Sequence, residues 1–451
     1  MMRKSRLGQE TLQTSLSRRG FLVMGAGGTA AFLAGCGGGE GLGSGASKEG
    51  VGGFTGGKYT GPAVTLDYWN GFTGGDGPTM DALVKKYNSS PAKVTVKQTT
   101  IEWADFYQKL PAAAQAGKGP HFGAMHLDQI ATNAARQVIV PIDDVASELG
   151  LSAGDFAPAV WQPAVYGGSR YGIPFDVHCL AMYWNQEHFD KAGISSPPTD
   201  AASFDEACQK LQQAGYKTPF WMPNQWPAHL MFLSLLWQHG GEPYAADGSA
   251  ATFDDQAGVA ALTWMTDQIN KGYSPPNVDI DAQYLAFKNG ETSITWDGIW
   301  QINDLKAGEM DFGIAPIPTI GDQPAVWANS HNFFVTALGA EDQNAANASK
   351  AFISWISKQS AEWAGAAMIP ARNSARKEPA YTKSPQYALN DYLGNLHFLP
   401  AVPGLGDVQI QTLEPALNEA ILGKTPPDEA LSTAASNATE LMKANLEKYG
   451  A

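Results

Sequence analysis

Val64-Thr65-Leu66-Asp67-Tyr68-Trp69 places Val64, Leu66 and Tyr68 on one side of an extended segment and Thr65, Asp67 and Trp69 on the other. That period of two marks a half-buried strand. The glycine-rich Gly71–Gly77 turn follows, and Pro78 stands where a helix through Asn88 would begin. Residues 93–99 alternate again, so the unit is strand, helix, strand. The same order continues downstream. Residues 102–117 carry Trp103, Phe106, Tyr107 and Leu110 at helical spacing despite Pro111, and 122–126 form a short strand before a helix to about residue 137. Residues 173–183 are a long β-prone run. Helices are expected over 203–213 (with Ser203 and Glu206 as a capping box), 228–239, 254–270 and 282–288. Strands are expected over 292–296, 311–315 and 331–336, and the chain beyond 344 reads almost entirely as helix. No internal repeat is visible. This alternation defines an α/β fold with a mainly parallel sheet.

The N-terminus reads differently. Arg3, Lys4 and Arg6 precede Ser17-Arg18-Arg19-Gly20-Phe21-Leu22, which has the form of a twin-arginine export signal. The apolar run behind it is diluted by Gly25, Gly27 and Gly28 and is shorter than the about 20 residues a bilayer-spanning helix needs. It ends in Leu33-Ala34-Gly35-Cys36, which resembles a bacterial lipobox. The resemblance implies that 1–35 is removed and that Cys36 is lipidated; two acyl chains suffice for stable anchoring. The protein would then be held at the outer face of the cytoplasmic membrane, on the cell surface or in the periplasm. An ordinary signal peptide ending by chance on cysteine is the alternative. Residues 36–61, rich in Gly and Ser, read as a flexible leash.

Beyond the signal, the 451-residue chain still exceeds the ~250–300 residues at which one core stops growing, so two lobes are expected. The net charge of −14 becomes more negative still, near −18, once residues 1–35 with their five basic and one acidic side chains are set aside, and argues against nucleic acid and against anionic lipid as partners of the body. Cys179 and Cys208 read as two buried free thiols, a bridge being the alternative.

Several segments together resemble the family 1 extracellular solute-binding proteins. They are Trp69-Asn70-Gly71-Phe72-Thr73-Gly74-Gly75-Asp76-Gly77; Trp103 through Lys109-Leu110 with Gly117-Lys118-Gly119-Pro120; Tyr171-Gly172-Ile173-Pro174-Phe175-Asp176-Val177-His178 with Tyr183-Trp184-Asn185; Phe287-Lys288-Asn289-Gly290 with Trp296-Asp297-Gly298; and Ser330-His331-Asn332-Phe333. The likeness runs from about Val64 to the C-terminus. His121 departs from it, standing where many relatives carry Asp. The resemblance implies a two-lobed periplasmic-binding-protein-like fold of type II, with the ligand in a cleft spanned by three crossing segments. Lobe one would hold 62–175 plus 327–370, lobe two 176–318 plus 371–451, and 319–326 would cross between them. It also implies a monomeric carrier that captures a mono- or oligosaccharide, closes by hinge bending and delivers it to the permease of an ABC importer, without catalysis or cofactor. A carrier of a glycerophosphodiester or polyol, or a secreted glycosidase using carboxylates such as Asp128, Asp176 and Asp297, are the alternatives.

A sugar offers hydroxyls at its rim and C–H groups on its faces, so its site needs aromatic platforms and directional polar groups. Ligands of open α/β sheets sit at the carboxyl ends of strands. Trp69, Asn70, Phe72 and Asp76 follow the first strand, Trp103 opens the next helix, and His126 and Asp128 follow the third strand. Asp176 and His178 lie in the first crossing and Ser330 and His331 in the return one. Trp296, Asp297 and Trp300 follow a later strand, the two indoles four residues apart as on one helix face. Trp226 stands between prolines, and the resemblance adds Arg372 in Pro370-Ala371-Arg372-Asn373. Each can equally serve packing, and the Gly71–Gly77 loop can be a turn needing positive φ. No Gly-x-Ser-x-Gly elbow, His-Glu-x-x-His helix or phosphate loop occurs. His126, His178 and His331 can converge, but they are far apart in the chain and make no close-spaced ligand set, so no metal is expected.

Overall fold

A computed structural model describes residues 50–450. The signal segment, Cys36 and the first part of the expected leash lie outside them. The opening strand spans Val64–Asn70 and pairs in parallel with Val94–Thr100 on one side and with Phe122–His126 on the other. Helix Gly77–Asn88 connects the first two, starting at its proline and burying Met80, Leu83, Val84 and Tyr87, the spacing of one helix face. His331–Thr336 adds antiparallel to Phe122–His126, and Ile139–Val140 closes the far edge.

A second sheet is built on one long strand, Asp176–Asn185. Along its length it pairs successively with Ile369–Pro370, Val326–Asn329, Ile294–Gly298 and Phe312–Ala315, always antiparallel. The expected parallel character therefore holds for the start of the first sheet but not for the second. An alternation of strands and helices reports which segments pack together but not the direction in which each joins a sheet.

The passages between sheets are short. Ile173–Pro174 pairs with Phe333 and Asn332 of the first sheet, and Asp176 already belongs to the second. The return lies at Ser330, between Val326–Asn329 and His331–Thr336. The segment expected to cross, 319–326, is instead tied to helix Ala228–Gln238. Gln238 donates to the carbonyls of Pro318 and Ala325 and accepts from Ile320 N.

Three further expectations change. The leash ends early: Phe54–Thr55 and Lys58–Tyr59 form a hairpin, and Gly52 bonds the side chains of Asn344 and Asn347. The capping box at helix Ala201–Gln213 is made by Asp200 and Ser203, one turn earlier than Ser203 and Glu206. Trp296 lies on a strand and Trp300 in the tight turn after it, so the two indoles do not share a helix face. Cys179 and Cys208 are both buried and free, as expected.

Among the described residues no helix is long and apolar enough to cross a membrane.

Candidate ligand-binding site

The sheet edges that meet at the crossings bring three imidazoles together. His331 opens its strand directly opposite His126, which ends the neighbouring one. His178 sits on the crossing strand two residues past Asp176 and so points to the same side. Ring centroids are 4.8 Å apart for His126 and His331, 4.3 Å for His178 and His331, and 5.4 Å for His126 and His178. One ring nitrogen from each lies within 4.8 Å of the other two.

Asp176, 0% exposed, organises this group. Its carboxylate accepts from His331 N (3.0 Å), His331 Nδ1 (2.8 Å), Trp363 Nε1 (2.6 Å) and His178 Nδ1 (3.3 Å). Burial alone would raise its pKa. The neighbouring His331, together with the hydrogen bonds from His178 and His331, outweighs burial and holds it well below the usual carboxylate range. Burial, then the proximity of His331, lowers His178 to about 4, and burial with both neighbouring imidazoles depresses His126 strongly.

Aromatic rings enclose the histidines. Trp103 lies parallel to His331 at 5.4 Å and stands 4.4 Å from His126, and Phe72 meets His331 edge-on at 4.8 Å. On the side of the second sheet, Trp300 and Trp327 approach His178 at 5.8 and 5.9 Å. Trp300 is 6.4 Å from Trp226, which is 40% exposed and lines a cavity of ≈ 320 Å³ with Asn224, His229, Glu414 and Asn418. Asp76, buried beside the group, has an Oδ1 without a hydrogen-bond partner among the described residues. Burial raises its carboxyl to about 6 against the pull of His331.

Phe72, Asp76, Trp103, His126, Asp176, His178, Trp300 and His331 thus come together, and Trp226 stands at their margin. Asn70 and Ser330 support them: Asn70 Oδ1 accepts from Phe72 N, and the Ser330 carbonyl accepts from Leu127 N. Asp128 lies beyond His126 in a crevice with Asn329 and Phe398, its carboxyl raised by burial to about 6. Other expected residues lie elsewhere. Trp69 packs against the apolar cluster of Phe106, Leu110 and Phe334. Trp296 is fully buried among Phe204, Phe220 and Trp264. Arg372 donates to Ser357 Oγ and lies over Phe156. Conversely, Tyr107, Trp327 and Trp363 stand against the histidine group although the sequence reading places none of them among the candidate ligand contacts. Tyr107 falls on the inward face of the helix that carries Trp103, a signal that was available; the other two carry no local mark.

The glycine loop also has a different cause. None of its glycines has positive φ. A Cβ on Gly71 would stand 2.1 Å from the Trp103 ring, so glycine is required there for close approach. Gly71→Ala is expected to displace Trp103 and to destabilise by about 1–3 kcal/mol, the usual range for overpacking. A chemical denaturation midpoint equal to that of the parent would refute this.

Asp297 is satisfied within its own surroundings, accepting from Gly298 N, Gln283 Nε2 and Gln301 Nε2. Burial raises its carboxyl from 3.8 to about 7, opposed by those bonds and reinforced by Asp281; Tyr183 and Tyr284 also lie in its field. Between those values the folded state binds more protons than the unfolded chain. Stability contributed here is therefore full below about 3.8 and declines as pH rises toward 7, by at most about 1.4 kcal/mol per unit. Asp297→Asn is expected to flatten that slope and to melt above the parent at pH 8. The unpartnered Oε1 of Gln283 could accept the new amide proton. Parallel melting profiles from pH 4 to 8 would contradict the assignment.

The bacterial extracellular solute-binding protein model matches residues 82–388, more than half of the chain, and the protein belongs to that family. It is 25% identical over 319 residues to the maltotriose-binding protein of Pyrococcus abyssi, covering 67% of this chain and 66% of that one. It is 23% identical over 400 residues to the sn-glycerol-3-phosphate-binding periplasmic protein UgpB of Salmonella typhimurium, covering 81% and 90%. The fold is that of the GacH receptor of Streptomyces glaucescens, solved unliganded and with acarbose. The TM-score is 0.73 at 23% identity, over 85% of this chain and 98% of that one.

Proposed function

We propose that the protein is the carbohydrate-capturing component of an ABC importer. One observation carries this reading. The indoles of Trp103, Trp300 and Trp327 surround the histidine group at the junction of the sheets, Trp300 in turn stands 6.4 Å from Trp226, and Trp226 lines a cavity edged by amide and carboxylate groups; neither the cavity lining nor the histidine group contains Lys or Arg. Flat apolar platforms with amide and carboxylate hydrogen-bonding groups suit a sugar. A phosphate wants the charged fork of Arg or the ammonium of Lys. The likeness to a maltotriose-binding protein points the same way. Binding alone is the role, with the solute released unchanged to a permease that recognises the closed form. The twin-arginine signal and lipobox support export and a tether through Cys36.

A panel of mono- and oligosaccharides is expected to include at least one that raises the melting temperature and shifts tryptophan fluorescence at micromolar concentration. No response across the panel, with a response to glycerophosphodiesters, would transfer the protein to that solute class. Turnover of any glycoside would make it an enzyme.

A further inference from the structure

We propose that His126, His178 and His331 bind one divalent transition-metal ion of the Zn²⁺ class at the junction of the two sheets. The three offer ligand atoms within 4.8 Å of one another. A tetrahedral ion at Zn–N of about 2.0–2.1 Å holds its nitrogens about 3.4 Å apart, so modest ring movements close the set.

The surroundings of each ring are those of a metal ligand. Among the described residues, the side-chain hydrogen bonds of all three rings run through Nδ1. His178 and His331 use it toward Asp176, and His126 toward Tyr107 Oη, which also accepts the His126 backbone N–H. Facing a carboxylate, which only accepts, His178 and His331 carry the proton on Nδ1 and keep the Nε2 lone pair as the donor; His126 does the same when Tyr107 Oη accepts from its Nδ1, the arrangement a bound ion would select. Carboxylate or oxygen partners on the far nitrogen are the usual means of fixing ligand tautomer and raising basicity. An all-imidazole set suits Zn²⁺, Cu²⁺ or Ni²⁺ rather than Mg²⁺ or Ca²⁺.

Charge provides a separate reason. The Asp176 carboxylate is fully buried, and among the described residues its ion-pair partners are His178 and His331, with no Lys or Arg. A dication held by neutral imidazoles would supply positive charge beside it. Because His126 and His331 belong to the first sheet and His178 to the long strand of the second, the ion would also tie the sheets together. Three protein ligands leave a fourth position for an oxygen donor. None of this depends on the solute being a carbohydrate.

The test uses untagged protein, stripped with chelator and then given Zn²⁺ alone. One equivalent is expected by calorimetry and by metal analysis after desalting, with a rise in melting temperature that chelator reverses. His126→Gln, at the half-buried ring, is expected to weaken Zn²⁺ binding at least about 100-fold. Tyr107→Phe, which removes only the outer partner, is expected to weaken it about 10–100-fold. Circular dichroism verifies that both variants are folded. Absence of a stoichiometric Zn²⁺ site, or Zn²⁺ binding unchanged in both folded variants, would overturn the proposal. The sugar panel repeated on stripped and Zn²⁺-loaded protein keeps this result separate from the carbohydrate reading.

Discussion

Asp176→Ala is expected to lower folding stability by about 3–5 kcal/mol, measured by chemical denaturation followed by circular dichroism. The side chain is fully buried and accepts from donors on three separate stretches of chain: His178 on its own strand, His331 at the return crossing, and the indole of Trp363. Alanine leaves those donors without an acceptor in a site that water does not readily reach. An unpaired buried group loses its full desolvation energy, whereas the net gain of a made bond is only about 1 kcal/mol. Asp176→Asn retains the shape and one acceptor oxygen, so it is expected to recover part of the loss. A drop below about 1 kcal/mol for the alanine variant would mean that the carboxylate does not organise the junction.

The second large effect separates two tryptophans four residues apart. Trp296→Ala removes an indole packed against Phe204, Phe220 and Trp264, and is expected to destabilise by about 3–5 kcal/mol, the range for emptying a large aromatic site. Affinity of the molecules that remain folded should not change. Trp300→Ala is expected to do the reverse. Its ring is only partly buried and lies between His178 and Trp226, so folding loses less. Affinity for the carbohydrate found in the panel should fall by about 2 kcal/mol, roughly 30-fold, as for a Trp anchor in a binding surface. Calorimetry on both variants decides. Unchanged affinity in Trp300→Ala, or a large loss in Trp296→Ala at full folding, would reverse these roles.

Local patterns determined the elements with good accuracy: the 122–126 and 331–336 strands and the 282–288 helix have the expected bounds. Alternation and helical spacing are set by neighbouring side chains that must face one core, and this is written in consecutive residues. The same logic placed Phe72, Trp103, His126, Asp176, His178 and His331 at strand ends or crossings, where ligands of α/β sheets collect. What local pattern does not carry is pairing across distance. The meeting of His126 with His331 depends on antiparallel register between strands some 200 residues apart, and a shift of one residue would turn one ring to the opposite face. Trp296 and Arg372 lie apart from the histidine group, and Tyr107, Trp327 and Trp363 stand against it, because their surroundings are made by non-local packing. The sequence by itself therefore determined the class of protein and the segments that meet around the histidine group. Only the tertiary structure decided which side chains face one another there, since sheet register and crossing points are properties of the assembled chain.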